Sequence, residues 1–177
     1  MESKSMSINR VPISAGLLLL VFLFQEAFVN RINFFLGGFA LYLAFAIAWI
    51  LREERSSAVL IGFLSGLIAD LSPTLEAPFG LWTFTMTGLA FLIVTYVRGS
   101  LDSNLSPLTL SVVTTIFSTI ALVIFIIFGA ILGQDLPSLS VLARELIGNA
   151  LWSFVLAPIY IPIAIRTHKL SLSARER

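Results

Sequence analysis

The run PLTLSVVTTIFSTIALVIFIIFGAIL, residues 107–132, carries no charged side chain over 26 residues. A helix needs about 20 apolar residues to cross the roughly 30 Å hydrocarbon layer of a bilayer, so this run identifies lipid as a solvent for the chain. The rest of the sequence agrees. Hydrophobic residues make up 58% of the 177 positions and charged ones only 12%, about half the roughly 25% charged residues of a soluble domain. Mean hydropathy is +0.98. Fifteen Phe and three Trp add aromatic mass suited to lipid contact and interfacial anchoring.

Working outward, five more apolar stretches emerge at 11–29, 32–51, 58–71, 80–97 and 142–165. Backbone groups in hydrocarbon must pair within the segment, and barrel strands would alternate in polarity, so these stretches read as helices. The expectation is an all-α integral membrane protein, a six-helix transmembrane bundle over 11–165, with a short segment 1–10 before it and a basic tail 166–177 after it. The first stretch resembles the apolar region of a signal peptide, but it runs on to Val29 without a small-x-small cleavage site and reads as a retained helix. The third stretch is short for a span, and the segment after it, from Ser72 to Phe79, holds Pro73, Glu76 and Pro78. It reads either as a plain loop or as a segment dipping into the membrane.

Lys and Arg set the orientation. With the N-terminus in the cytoplasm, Lys4, Arg10, Arg52, Arg55, Arg98, Arg166, Lys169, Arg175 and Arg177 lie inside, against Arg31 and Arg144 outside. That is the positive-inside asymmetry, and it places both termini in the cytoplasm. The tail reads as an ordinary basic anchor on membrane lipids. A net charge of +1 is too small a field to recruit nucleic acid, and the absence of cysteine excludes disulfides, thiolate metal sites and cysteine nucleophiles.

The sharpest pattern is Gly62-Phe63-Leu64-Ser65-Gly66-Leu67-Ile68-Ala69-Asp70. Gly62, Gly66 and Asp70 are four apart and share one helical face, with Ser65 and Ala69 beside it. Two small residues at that spacing admit a close neighbouring helix. A carboxylate on such a face near the membrane needs a reason. Asp70 reads as a clamp that accepts hydrogen bonds from the following loop or a partner, as a proton or cation site, or as a helix-end residue reaching water. Gln25, Glu26, Arg31, Arg144 and Glu145 read as interfacial polar residues or as an outer-leaflet charge cluster, and Asn149 as an interhelical hydrogen bond rather than a ligand contact. Pro158 and Pro162 predict a kink. The hydroxyls of Thr109, Ser111, Thr114, Thr115, Ser118 and Thr119 bond back to their own helix or line a cavity.

Catalysis has little to work with. Ser65-Gly66 would need an intramembrane histidine, and the single histidine, His168, falls in the expected tail. Gly62-x-x-Ser65-Gly66 is also one residue longer than the rhomboid protease motif. A zinc site would need clustered histidines, and no phosphate-gripping loop or close carboxylate pair is evident. The expectation is a protein that is not an enzyme, with no cofactor and no metal.

Gly62-x-x-x-Gly66-x-x-x-Asp70 followed by Pro78-Phe79-Gly80-Leu81, in a chain of this size and layout, resembles the bacterial rod shape-determining MreD family. Phe79 stands where that family usually has Leu, while Pro78 and Gly80 keep their places. The resemblance implies a subunit of the cell-elongation machinery in the bacterial cytoplasmic membrane. It would be bound to MreC and grouped with MreB, the glycosyltransferase RodA and a class B penicillin-binding transpeptidase. It also implies kinship in fold with the substrate-binding subunits of energy-coupling-factor vitamin transporters. Two functions follow as expectations. The first is a scaffold that packs a partner's transmembrane helix, using Gly62, Ser65, Gly66, Asp70, Pro78 and Gly80. The alternative is a substrate-binding subunit of a vitamin or small-molecule transporter, with Asp70, Glu76 and Asn149 converging on a ligand. A third, an accessory that binds lipid-linked precursors along the hydroxyl-rich fifth stretch, has no residue that requires it.

Overall fold

Seven α-helices make up the computed structural model, which describes residues 10–72, 77–97 and 106–171: α1 (Arg10–Ala27), α2 (Leu41–Ile50), α3 (Arg55–Asp70), α4 (Leu81–Leu92), α5 (Pro107–Ile131), α6 (Leu139–Val155) and α7 (Ala157–Ser171). Among the described residues there is no β-strand. Two segments, Pro12–Arg31 and Pro107–Ile131, are long and apolar enough to cross a membrane, and α6 with α7 adds a third if the bent pair is one span. Shorter apolar helices occupy Leu41–Ile50 and Leu81–Val97.

The centre of the bundle is α2. Every residue from Tyr42 to Ile50 is buried, as expected of a helix apolar all round, and α1, α3, α5 and α7 pack about it. It is shorter than the apolar stretch 32–51 that contains it. Residues 32–40 are not helical, because Gly37-Gly38 carry little helix propensity and the backbone finds other partners. Leu36 and Gly37 both take positive φ, +67° and +110°, and a bulky residue holds that conformation only where its surroundings impose it. Here α6 does so. The Leu36 carbonyl lies where a Cβ on Gly148 would fall, Trp152 Nε1 donates to Phe35 O at 2.8 Å, Gly38 N donates to Glu145 Oε2 at 3.0 Å and Ala40 N donates to Asn149 Oδ1 at 3.1 Å. From the other side Gln25 donates to Phe39 O at 3.0 Å and accepts from Tyr42 N at 3.2 Å. The apolar side chains of 32–40 raise hydropathy without making helix.

Elsewhere the helices differ from the apolar stretches mainly at their ends. α3 starts at Arg55, so the charged break before it supplies its first turn. It rises about 24 Å over 16 residues at 1.5 Å each. α4 runs on as a π-helical turn, Ile93–Val97. α5 opens on a Ser106 cap that accepts from Thr109 N, with Pro107 just inside. The last stretch is two helices bent by 65°. Pro158 stands at the break, where its missing N–H cannot continue α6, and Pro162 is carried inside α7. α7 also runs past residue 165 to Ser171, into the stretch read from sequence as a tail.

Candidate functional site

The glycine face of α3 is filled by α4 of the same chain. A Cβ on Gly62 would lie 2.5 Å from the Ala90 Cβ, and one on Gly66 would lie 2.5 Å from the Thr83 Cα and the Trp82 carbonyl oxygen. Helix backbones approach this closely only where side chains are absent. Asp70 finishes the pairing. Its Oδ1 accepts from Trp82 N at 2.9 Å, and its Oδ2 accepts from Thr83 N at 2.9 Å and from Thr83 Oγ1 at 2.6 Å. The amides of a first helical turn have no partner within their helix, and the positive end of the helix dipole favours an anion. Asp70 therefore caps α4 from a neighbouring helix. At 6% exposure it does not reach water.

The turn into α4 depends on Gly80, which takes φ +97°, a left-handed conformation that glycine adopts without strain. Leu81 N donates to Pro78 O, and Phe84 N donates to Gly80 O. Ser65 faces the core, its Oγ bonded to Gly62 O and its carbonyl oxygen accepting from Tyr42 Oη at 2.7 Å. The structure thus brings Gly62, Ser65, Gly66, Asp70, Pro78 and Gly80 together as one helix-pairing unit. Trp82 extends it to α5 by stacking on Phe125 at 4.1 Å.

Of the residues expected to converge on a ligand, Asp70 and Asn149 serve different contacts. Asp70 points into α4, Asn149 binds the 32–40 segment and Ser118 of α5, and Glu76 lies outside the described residues. Of the α5 hydroxyls, Ser111, Ser118 and Thr119 bond back to carbonyls one turn earlier. Gln25 is buried, while Glu26 accepts from Ser72 Oγ at 3.0 Å.

His168 is not in a polar tail. On α7 it is 5% exposed, with its ring edge-on to Trp49 at 5.2 Å and Nε2 3.3 Å from Glu53 Oε1, which also accepts from Trp49 Nε1 at 3.0 Å. Ser65 shares none of these contacts. Sequence reasoning missed this cluster because Glu53 falls in a charged break and His168 beyond the last apolar stretch, which ends at residue 165. The available signal was the four-residue spacing of Trp49 and Glu53. Among the described residues, no three His, Asp or Glu side chains gather to hold a metal ion.

In comparisons with family models, with curated proteins and with solved structures, nothing matches this chain.

Proposed function

We propose that this chain is a non-enzymatic membrane scaffold, a six-span bundle that holds the transmembrane helix of a partner against its surface. More particularly, we propose an MreD-type subunit of the bacterial cell-elongation machinery, with MreC as the main partner and RodA, a class B penicillin-binding transpeptidase and MreB in the larger assembly. The observation that carries this reading is the unit formed by Gly62, Gly66, Asp70, Pro78 and Gly80. Each residue of the MreD-like motif has a specific mechanical task in one rigid helix pair. Such a unit supplies stiffness, the property a scaffold needs, and leaves wall chemistry to the partners.

The packed face also redirects the search for the partner's seat. Gly62 and Gly66 are covered from within the chain, so the partner's helix meets other surfaces, whereas Gly16 on α1 and Gly88 on α4 face open space. The chain has no cysteine, so single cysteines at these positions and along the exposed face of α5 can be cross-linked to cysteines in the MreC transmembrane helix. The expected result is a set of adducts confined to one helix face, together with co-purification of MreC. Absence of both, in protein that folds normally, refutes the reading. The same cysteines report orientation, with both termini expected in the cytoplasm and the α3–α4 connection outside. The proposed architecture is that of the substrate-binding subunits of energy-coupling-factor transporters.

A further inference from the structure

The connection between α1 and α2 follows α6 inward, and its contacts step along that helix. Gly37 packs on the backbone of Arg144 and Glu145, and Gly38 N donates to Glu145 Oε2 at 3.0 Å. Leu36 lays its carbonyl on Gly148. Phe35 O accepts from Trp152 Nε1 at 2.8 Å, and the Phe34 and Trp152 ring centroids are 5.2 Å apart. From 145 to 152 a helix rises about 10 Å. Side chains lean toward a helix N-terminus, which takes back part of that rise at Trp152, so Phe35 lies roughly a turn, about 5 Å, deeper than Gly38.

Charge marks where this dip stands. Arg31, Arg144 and Glu145 are exposed, and no charged residue occurs in 32–51 or 146–165. Charged side chains at the ends of such runs belong with the headgroups, so the tip at 34–36 is on the hydrocarbon side of them. Its groups are disposed as hydrocarbon requires. The carbonyls of Phe35 and Leu36 turn onto α6, one to Trp152 and the other over Gly148, where no side chain intervenes. Non-helical backbone is tolerated at membrane depth where protein covers it. The side chains turn the other way, with Phe35 75% exposed and Ile32 56%, and over the same turns α6 exposes Ile147 and Leu151. A loop in water presents its backbone to solvent instead.

We propose that residues 31–38 form a re-entrant loop whose tip, at 34–36, inserts between the acyl chains of the leaflet at this end of the bundle. The inference rests on α6 lying in the membrane, as in the six-span reading. The loop has a mechanical use there. α2 is ten residues long, about 15 Å, or about half of the roughly 30 Å hydrocarbon layer. The inserted loop fills the leaflet beyond the start of α2, and Gln25 and Asn149 hold that start in place through Phe39 O, Ala40 N and Tyr42 N.

The test is electron paramagnetic resonance on single nitroxide-labelled cysteines in the full chain, reconstituted into vesicles of phosphatidylcholine and phosphatidylglycerol. The labels go at Phe35→Cys, at Leu151→Cys on α6 and at Asp135→Cys ahead of α6. Collisions with oxygen, which concentrates in hydrocarbon, are compared with collisions with a water-soluble nickel chelate. The label at 35 is expected to match the one at 151, with an oxygen-to-nickel ratio several-fold above that at 135. Phe35 makes little packing contact, being 75% exposed; should Phe35→Cys still fold poorly, Leu36→Cys replaces it with the same expectation. A label at 35 as open to nickel as the one at 135, with 151 shielded, overturns the re-entrant loop and leaves α6 in the membrane. Nickel access at both 35 and 151 overturns the loop together with the six-span reading.

Discussion

Removing the Asp70 carboxylate tests how the helix pair is held. In Asp70→Ala, the amides of Trp82 and Thr83 lose their acceptor together with the Thr83 hydroxyl. The hydroxyl can turn to another acceptor, but first-turn amides have none within their helix. A buried donor left unsatisfied costs about 1–3 kcal/mol, so two come to about 2–6 kcal/mol. The lost attraction between carboxylate and helix dipole adds roughly 0.5–2 kcal/mol. Water replaces part of this at exposed caps, where substitution by Ala costs about 0.5–2 kcal/mol, but Asp70 is 6% exposed. The expected loss is therefore about 4 kcal/mol for Asp70→Ala. For Asp70→Asn it is about 1–2 kcal/mol, since the amide oxygen still accepts from one backbone N–H. Equilibrium unfolding in mixed micelles of mild detergent and dodecyl sulfate measures both. If Asp70→Ala lies within about 1 kcal/mol of the parent, the carboxylate is not holding α4 and the clamp reasoning fails.

Further outcomes follow from the same contacts. Gly66→Ala sets a Cβ 2.5 Å from the Thr83 Cα and is expected to lose about 2–3 kcal/mol. Gly88→Ala, with nothing within 4 Å, should gain about 0.5–1 kcal/mol from helix propensity alone; similar thermal shifts for the two would contradict the packing. In Gly148→Ala the new Cβ collides with the Leu36 carbonyl, so faster proteolysis within 32–40 should accompany the drop in melting temperature, and a protected segment would refute the pinning. His168→Ala removes the ring between Trp49 and Glu53. It is expected to cost about 3 kcal/mol, as for truncation of a buried ring to Ala, and to shift Trp49 fluorescence. An unchanged spectrum would show that the ring does not pack on Trp49.

The class of the protein was legible without coordinates because hydrocarbon imposes one rule on the backbone. Long uncharged runs such as 107–132 must be helical, and α5 follows that run to within a residue. The four-residue spacing of Gly62, Gly66 and Asp70 likewise announced a close-packed face with a carboxylate at its end, since helix geometry fixes which residues share a face. The bend in the last stretch was legible from proline, whose missing donor acts locally. What spacing could not say was which helix covers that face. The answer, α4 of the same chain, arises from contacts between residues more than ten positions apart.

Hydropathy also misled at 32–40, where Phe34, Phe35, Leu36 and Phe39 count as membrane-spanning residues yet form no helix. Their backbone partners come from Gln25 on α1 and from Glu145, Asn149 and Trp152 on α6. The burial of His168 against Glu53 has the same origin, because a helix running beyond its apolar stretch can bury polar groups only when another element supplies their partners. The sequence by itself determined the all-helical, apolar character of the chain and the face that would pack, both consequences of local composition and period. Only the tertiary structure decided the partner of each face and the unwinding before α2, because these depend on hydrogen bonds and contacts between segments that periodicity does not encode.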